Sequence, residues 1–143
     1  LVAFLDVNVL LYAHQRASPQ SDEYAAWLER FVSSTTMFGI PELVLAGFIR
    51  VATNPRAFNP PSTSVQAFSF LEGLIAMPGR VSVLPGPGHL ALFRELCEAV
   101  PGGNDVTDAY LAALAIEDDA ELITADRGFA RFPGLRWRHP LDP

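Results

Sequence analysis

"AFLDVNVLLYAH", residues 3–14, decides how the rest of the chain is read. An apolar run reaches Leu5, stops at Asp6, admits Val7, and then places Asn8 before the apolar residues resume. Residues 2–5 read as a short buried strand, and from Val7 to about Ala13 the spacing turns helical. A carboxylate and an amide inside an apolar segment are costly unless hydrogen-bonded or put to use.

Outward from this junction the same alternation recurs. Helices are predicted over 22–33 (capped by Ser21 or Asp22), from Pro41 to Ala52, and over 64–76, 89–99 and 106–117. Strands are predicted at 35–40, 80–84, 121–124 and 135–139. A Pro-rich loop, TNPRAFNPPST (53–63), and the breakers PGPG and PGGN separate them. Short apolar strands alternating with helices predict an α/β fold with a mostly parallel, four- to five-stranded sheet flanked by helices in three layers. The 143 residues suit one domain, 1–143.

Composition narrows the function classes. No apolar run approaches the roughly 20 residues that span a bilayer. The first residues lack the basic segment and long apolar core of a signal peptide. The expectation is a cytoplasmic protein with no membrane partner. Cys97 is the single cysteine, so neither an internal disulfide nor a Cys-rich zinc site can form. It reads as a small buried hydrophobe in a reducing compartment. The net charge of −6 argues against a protein that simply coats nucleic acid, but not against an acidic site neutralised by metal. All ten basic residues are Arg, which excludes a P-loop lysine and a Schiff-base lysine.

The acids carry the remaining signal. Ligands of a parallel α/β sheet bind beyond the carboxyl ends of its strands. Asp6 ends the first strand, and Asp126 follows the fourth. Asp108 falls in the first turn of helix 106–117, and Glu42 in the first turn of the helix after TTMFGI. Each has a structural alternative. Asp6 can cap a helix, Asp105 and Asp108 have capping-box spacing, Asp126 can make a turn, and Glu42 suits a helix start. The acids at 117–119 and 121 read as a solvated helix end. The conjunction is harder to dismiss. Two carboxylates about 4 Å apart repel by about 4 kcal/mol at an effective dielectric of about 20. A fold keeps such a cluster if a cation occupies it or protons are retained. Oxygen ligands without Cys or clustered His suit Mg²⁺ or Mn²⁺.

AFLDVNVLLYA, TDAYLAALAIE and LITADRGFARFPGL together resemble the PIN domains of VapC toxins, over nearly the whole chain. The resemblance implies a Mg²⁺-dependent endoribonuclease, the toxin of a toxin–antitoxin pair that inhibits translation or growth. It also implies a homodimer and a cognate VapB-type antitoxin that blocks the site. Carried over by motif, Asp6, Asp108 and Asp126 match the metal-binding acids, Thr124 the hydroxyl residue before the last acid, and Asn8 the polar residue after the first. In this reading Asn8 orients acids or bound water, and Thr124 orients the attacking water. Two departures stand out. Gly47 occupies what looks like the position of a family glutamate, with Glu42 five residues earlier as a secondary candidate ligand. Five residues rotate a helix about 140° beyond a full turn, so Glu42 reads as structural rather than as a replacement. Gly128 stands where TADRGF would commonly carry a second Asp.

For an acidic protein to meet RNA, Arg127, Arg131, Arg136 and Arg138 cluster near Asp126 as candidate phosphate contacts, and Phe129, Phe132 or Trp137 as stacking platforms. Arg50 and Arg56 are further candidates for RNA or the antitoxin. His14, His89 and His139 read as bystanders. The apolar excess of VTDAYLAALAIE and SVQAFSFLEGLIA points to a homodimer and a helix-binding groove. Rival readings are weaker. A haloacid-dehalogenase-like phosphatase needs DxD and meets Asn8. A receiver domain needs a Lys the chain lacks. A degenerate PIN domain that only binds a partner is the non-enzymatic alternative, favoured by Gly47 and Gly128.

Overall fold

The computed structural model describes all 143 residues. Five short strands, β1 (Val2–Leu5), β2 (Met37–Gly39), β3 (Arg80–Val81), β4 (Glu121–Ile123) and β5 (Arg136–Arg138), form one sheet. Its order is β3-β2-β1-β4-β5, and every neighbouring pair is parallel. Between the strands run α1 (Val7–His14), α2 (Ser21–Val32), α3 (Glu42–Ala52), α4 (Ser64–Ile75), α5 (His89–Glu98) and α6 (Asn104–Glu117). A short 3-10 helix (Arg127–Arg131) joins β4 to β5. None of the helices is long and apolar enough to cross a membrane.

The chain steps outward from β1 to β3, then returns to the other side of β1 to lay down β4 and β5. Parallel crossovers are right-handed, so this reversal puts α1–α4 on one face and α5 and α6 on the other. The packing agrees: α1 lies against α2 and α3, α3 against α4, and α5 against α6. The order reverses between β1 and β4, and that switch point is where a doubly wound sheet opens a crevice. Phe4, Leu5, Phe38, Leu122 and Ile123 fill the sheet's interior.

Several boundaries differ from the sequence expectation for identifiable reasons. α6 begins at Asn104, not 106, because Gly103 at φ +62° makes the turn that starts it. Asp105 is therefore no cap, the capping box with Asp108 does not form, and Asp108 moves into the second turn. α2 is preceded by Gln20 at φ +59° with no side-chain cap, while Ser21 is buried as its first residue. β3 is only two residues long. Val83 turns inward over Gly39, where an added Cβ would meet its methyl at 2.3 Å. The expected apolar excess of α6 is absorbed inside the domain, since Leu111 to Ala115 are all buried. α4 keeps apolar exposure, with Val65 74% and Phe68 49% exposed, and α5 does so at Leu90, 74% exposed.

Glu117 is not part of a solvated helix end. Its Oε1 accepts from the Gly86 N–H (2.8 Å) and its Oε2 from the Gly88 N–H (2.7 Å). The end of α6 thereby pins the PGPG turn that launches α5. Hydrogen bonds to a charged group contribute about 1.5–3 kcal/mol. Glu117→Ala should lower the unfolding free energy by about 2 kcal/mol on that scale, with Glu117→Gln losing less. Urea unfolding that leaves the alanine variant as stable as the wild type would remove Glu117 from this role.

Candidate metal centre

The register that pairs Leu5 with Ile123 sets Asp6 beside Thr124 at the switch point. The Asp6 N–H donates to the Ile123 carbonyl (3.0 Å), so backbone pairing continues one residue past the strand. Asp6 is 6% exposed and Thr124 is fully buried. The Thr124 hydroxyl donates to Asp6 Oδ2 at 2.7 Å. Asn8 Nδ2 donates to the same oxygen and to Thr124 Oγ1, each at 3.2 Å. Asp6 Oδ1 accepts from the Val7 N–H at 2.7 Å, so Asp6 also caps α1. Asn8 Oδ1 accepts from the Ala125 N–H (3.0 Å), which fixes its amide orientation. Thr124 Oγ1 further accepts from the Asp126 N–H (3.0 Å).

This network refines the roles expected of its members. The Thr124 hydroxyl proton goes to Asp6, so Thr124 positions that carboxylate. Asn8 locks the β1–α1 junction to the β4 exit. Asp126 caps the 3-10 helix through Gly128 N–H (2.8 Å), which makes TADRG a helix start and not a simple turn.

Asp108 lines a pocket of about 110 Å³ with Asp6, Val7, Leu43, Gly47 and Arg50. Its Oδ2 accepts from Arg131 Nη2 at 3.0 Å, and the same nitrogen donates to Asp105 Oδ1 at 2.6 Å. Burial raises the Asp6 carboxyl above its ordinary range. The Thr124 and Val7 hydrogen bonds oppose that shift, and the charges of Asp108 and Asp126 add to it. Asp108 is also raised, first by burial and then by Asp126 and Asp105, against the pull of Arg131.

Glu42 is exposed and does not line this pocket, whereas Gly47 does. A Cβ at Gly47 would meet only Val7 Cγ2, at 3.8 Å, so a side chain there has room. The arginines expected around Asp126 are dispersed. Arg127 pairs with Asp142. Arg136 sits opposite Glu121 at the amino edge of the sheet, pairs with Asp119, and is thus removed from the site. Arg138 pairs with Glu121. Phe129 and Phe132 are buried in the core and offer no stacking face. His14 bonds Ser62, His139 lies near Tyr24, and His89 is buried between Phe93 and Tyr110, so none reaches the acids. Cys97 is half-buried on α5. Sequence reasoning missed Asp105 as a partner of Arg131. Its spacing of three from Asp108 puts both on one helix face once α6 begins at Asn104.

A family model described as PIN domain matches residues 3–135. The chain is a PIN-domain protein of the VapC family. Ribonuclease VapC43 of Mycobacterium tuberculosis is 47% identical over 139 residues, covering 96% of this chain and 95% of its own. Ribonuclease VapC31 of the same organism is 42% identical over 137 residues, 95% of this chain and 96% of its own. Among solved structures, VapBC-1 from nontypeable Haemophilus influenzae matches this PIN domain with a TM-score of 0.70 at 18% identity, over 99% of this chain and 100% of that one. VapBC2 from Rickettsia felis, bound to a DNA fragment from its promoter, matches with 0.69 at 21% identity, over 97% and 98%.

The donor set of the PIN domain fits a hard divalent cation: the side chains in the pocket able to ligate one, Asp6, Asp108 and Thr107, offer only oxygens. Its volume also exceeds the about 10–15 Å³ one water needs, leaving space for part of a hydration shell. No three acidic, His or Cys side chains are gathered around one point: Asp6 and Asp108 share the pocket, Asp108 is engaged by Arg131, and Asp126 lies outside it with its carboxylate capping the 3-10 helix.

The raised carboxyls fix a pH dependence. Their folded values lie above 3.8, so the native state holds more protons than the unfolded chain between the two. Their contribution to stability is present below the unfolded value and is lost as pH rises through the folded one. In EDTA, the wild type should gain more Tm than Asp108→Asn as pH falls from 7 towards the ordinary carboxylate range. The variant lacks one raised group and relieves the repulsion on Asp6. Parallel Tm–pH curves would exclude this coupling.

Proposed function

We propose that this chain is an endoribonuclease of the VapC type, the toxin of a toxin–antitoxin pair, dependent on Mg²⁺ or Mn²⁺ and able to arrest growth by cutting RNA. The observation that carries the reading is a buried carboxylate, Asp6, held by Thr124, Asn8 and a backbone N–H at the switch point of a PIN domain. Asp6, Asp108 and Asp126 would hold the cation. When bound, it would supply an activated water and stabilise charge on the scissile phosphate. Thr124 and Asn8 keep Asp6 in one rotamer, so its oxygens need not reorganise during the reaction. Arg50, on the rim of the acidic pocket and in no ion pair, is the cation available to a substrate phosphate.

The partner in this reading is a VapB-type antitoxin. Leu45, Ile49, Phe68, Leu71 and Ile75 line a groove of about 420 Å³ between α3 and α4, with Arg50 along it. Arg50 also lines the acidic pocket, so an apolar helix seated in the groove leads directly to the acids. The VapBC names of the matched structures support this assignment. The family adds a homodimer. Light scattering at about 100 μM, above typical interface dissociation constants, should return twice the 15.6 kDa of one chain. A monomer at that concentration would refute the dimer.

A degenerate domain that only binds is the second reading, favoured by the lack of three gathered acids. Cleavage of single-stranded RNA under saturating Mn²⁺ separates the two. Asp6→Asn should lose more than about 100-fold in rate, beyond what losing a merely orienting partner costs. Glu42→Gln should retain most activity. Wild type and Asp6→Asn both failing to cut would favour the binding module, and an equal collapse in Glu42→Gln would make Glu42 a ligand.

A further inference from the structure

Arg131 is held more tightly than a phosphate-gripping residue needs to be. From the end of the 3-10 helix it crosses to α6, where Nη2 donates to Asp105 Oδ1 and Asp108 Oδ2. Nη1 donates to the Gly128 carbonyl, and the guanidinium carbon lies 4.5 Å from the Phe132 ring centroid. The three charged side chains are each about one-third exposed, at 32%, 32% and 30%. Pairs in such partly desolvated positions are screened less than surface pairs. Gly128 keeps the lane open: a Cβ there would sit 3.1 Å from Arg131 Nη1. Asp108 in turn shares its pocket with Asp6. Carboxylates gathered in one pocket call for positive charge; Arg50 lines the pocket in no ion pair, and Arg131 is the cation hydrogen-bonded to one of its carboxylates, Asp108.

We propose that Arg131 is the resident cation of the site: it occupies Asp108 while no divalent ion is bound, and metal loading is an exchange of guanidinium for metal. This rests on the metal-dependent reading above. With the guanidinium on Asp108 Oδ2, a divalent cation on the same carboxylate would stand only a few ångströms from it and be repelled, so binding of one opposes binding of the other. Asp105 gives the departing Arg131 a second anion to stay with, one helical turn away from the pocket. The exchange spares the metal-free protein the full repulsion of its acids. It also weakens apparent metal affinity, because only molecules with Arg131 displaced are competent to bind.

The test titrates Mn²⁺ by calorimetry and measures melting in EDTA, for the wild type and Arg131→Met, which keeps an apolar stem against Phe132. The variant should melt lower in EDTA and bind Mn²⁺ about tenfold more tightly, as expected if about one molecule in ten is competent in the wild type. Arg131→Gln, which removes the charge while leaving Asp105 and Asp108 untouched, should also bind Mn²⁺ more tightly, and answers the question if Arg131→Met fails to fold. Unchanged or weaker affinity in the folded variant overturns the exchange while leaving the nuclease reading intact. If neither the wild type nor a variant binds Mn²⁺ at about 10 mM, well above typical site affinities, the metal reading falls and the exchange falls with it.

Discussion

The hydrogen bond from Thr124 to Asp6 closes the sheet's switch point with a buried charge. Burying a carboxylate is among the costliest acts in folding unless it is hydrogen-bonded or neutralised. Here one oxygen takes the Thr124 hydroxyl and the Asn8 amide, and the other takes the Val7 N–H. The donors come from both sides of the crevice, so the first strand's exit and the fourth strand's exit cannot move independently. The β1–β4 register, the start of α1 and the loop to the 3-10 helix all depend on this one group being satisfied. Even so, Asp6 remains raised by burial and by its acidic neighbours. The donors keep it in place without removing its appetite for positive charge.

That residual appetite organises the second half of the site. Asp105 and Asp108 face one guanidinium, whereas Asp6 and Asp126 have only neutral donors. The local balance is therefore negative even with Arg131 in place. The exposed pairs elsewhere, such as Arg94 with Glu98, are of the kind that contributes little to stability. The Arg131 pairs differ because they stand beside a pocket that already holds a buried carboxylate.

Much of this was legible in the sequence because it rests on local pattern. The Asp6–Asn8 interruption marks a strand end that must carry polar groups, and the alternation of apolar strands with helices leads to the parallel sheet. The angular argument separating Glu42 from Gly47 needed only the helical repeat, and Gly47 alone faces the pocket. What escaped were features set by single backbone states or by distant partners. Gly103 at positive φ moves the start of α6 by two residues, which turns a presumed capping pair into two anchors for Arg131. Glu117 reads as one of four solvated acids until PGPG is folded against it. The arginines near Asp126 form a cluster in sequence only, since β5 starts at the opposite edge of the sheet and takes Arg136 with it.

The same dispersal bears on how an acidic protein meets an anionic polymer. Six of the ten arginines, Arg16, Arg94, Arg127, Arg131, Arg136 and Arg138, are in ion pairs. Arg30, Arg50, Arg56 and Arg80 are in none, and of these only Arg50 borders the acidic pocket. With a net charge of −6, long-range attraction cannot gather RNA onto this surface. Affinity would have to come from a few short contacts close to the reacting phosphate, so the substrate's sequence and shape would weigh more than its charge density. Arg50 also borders the apolar groove of α3 and α4, which makes phosphate and a seated helix competitors for one side chain. A partner occupying the groove would then withhold the one unpaired cation at the site as well as cover the acids.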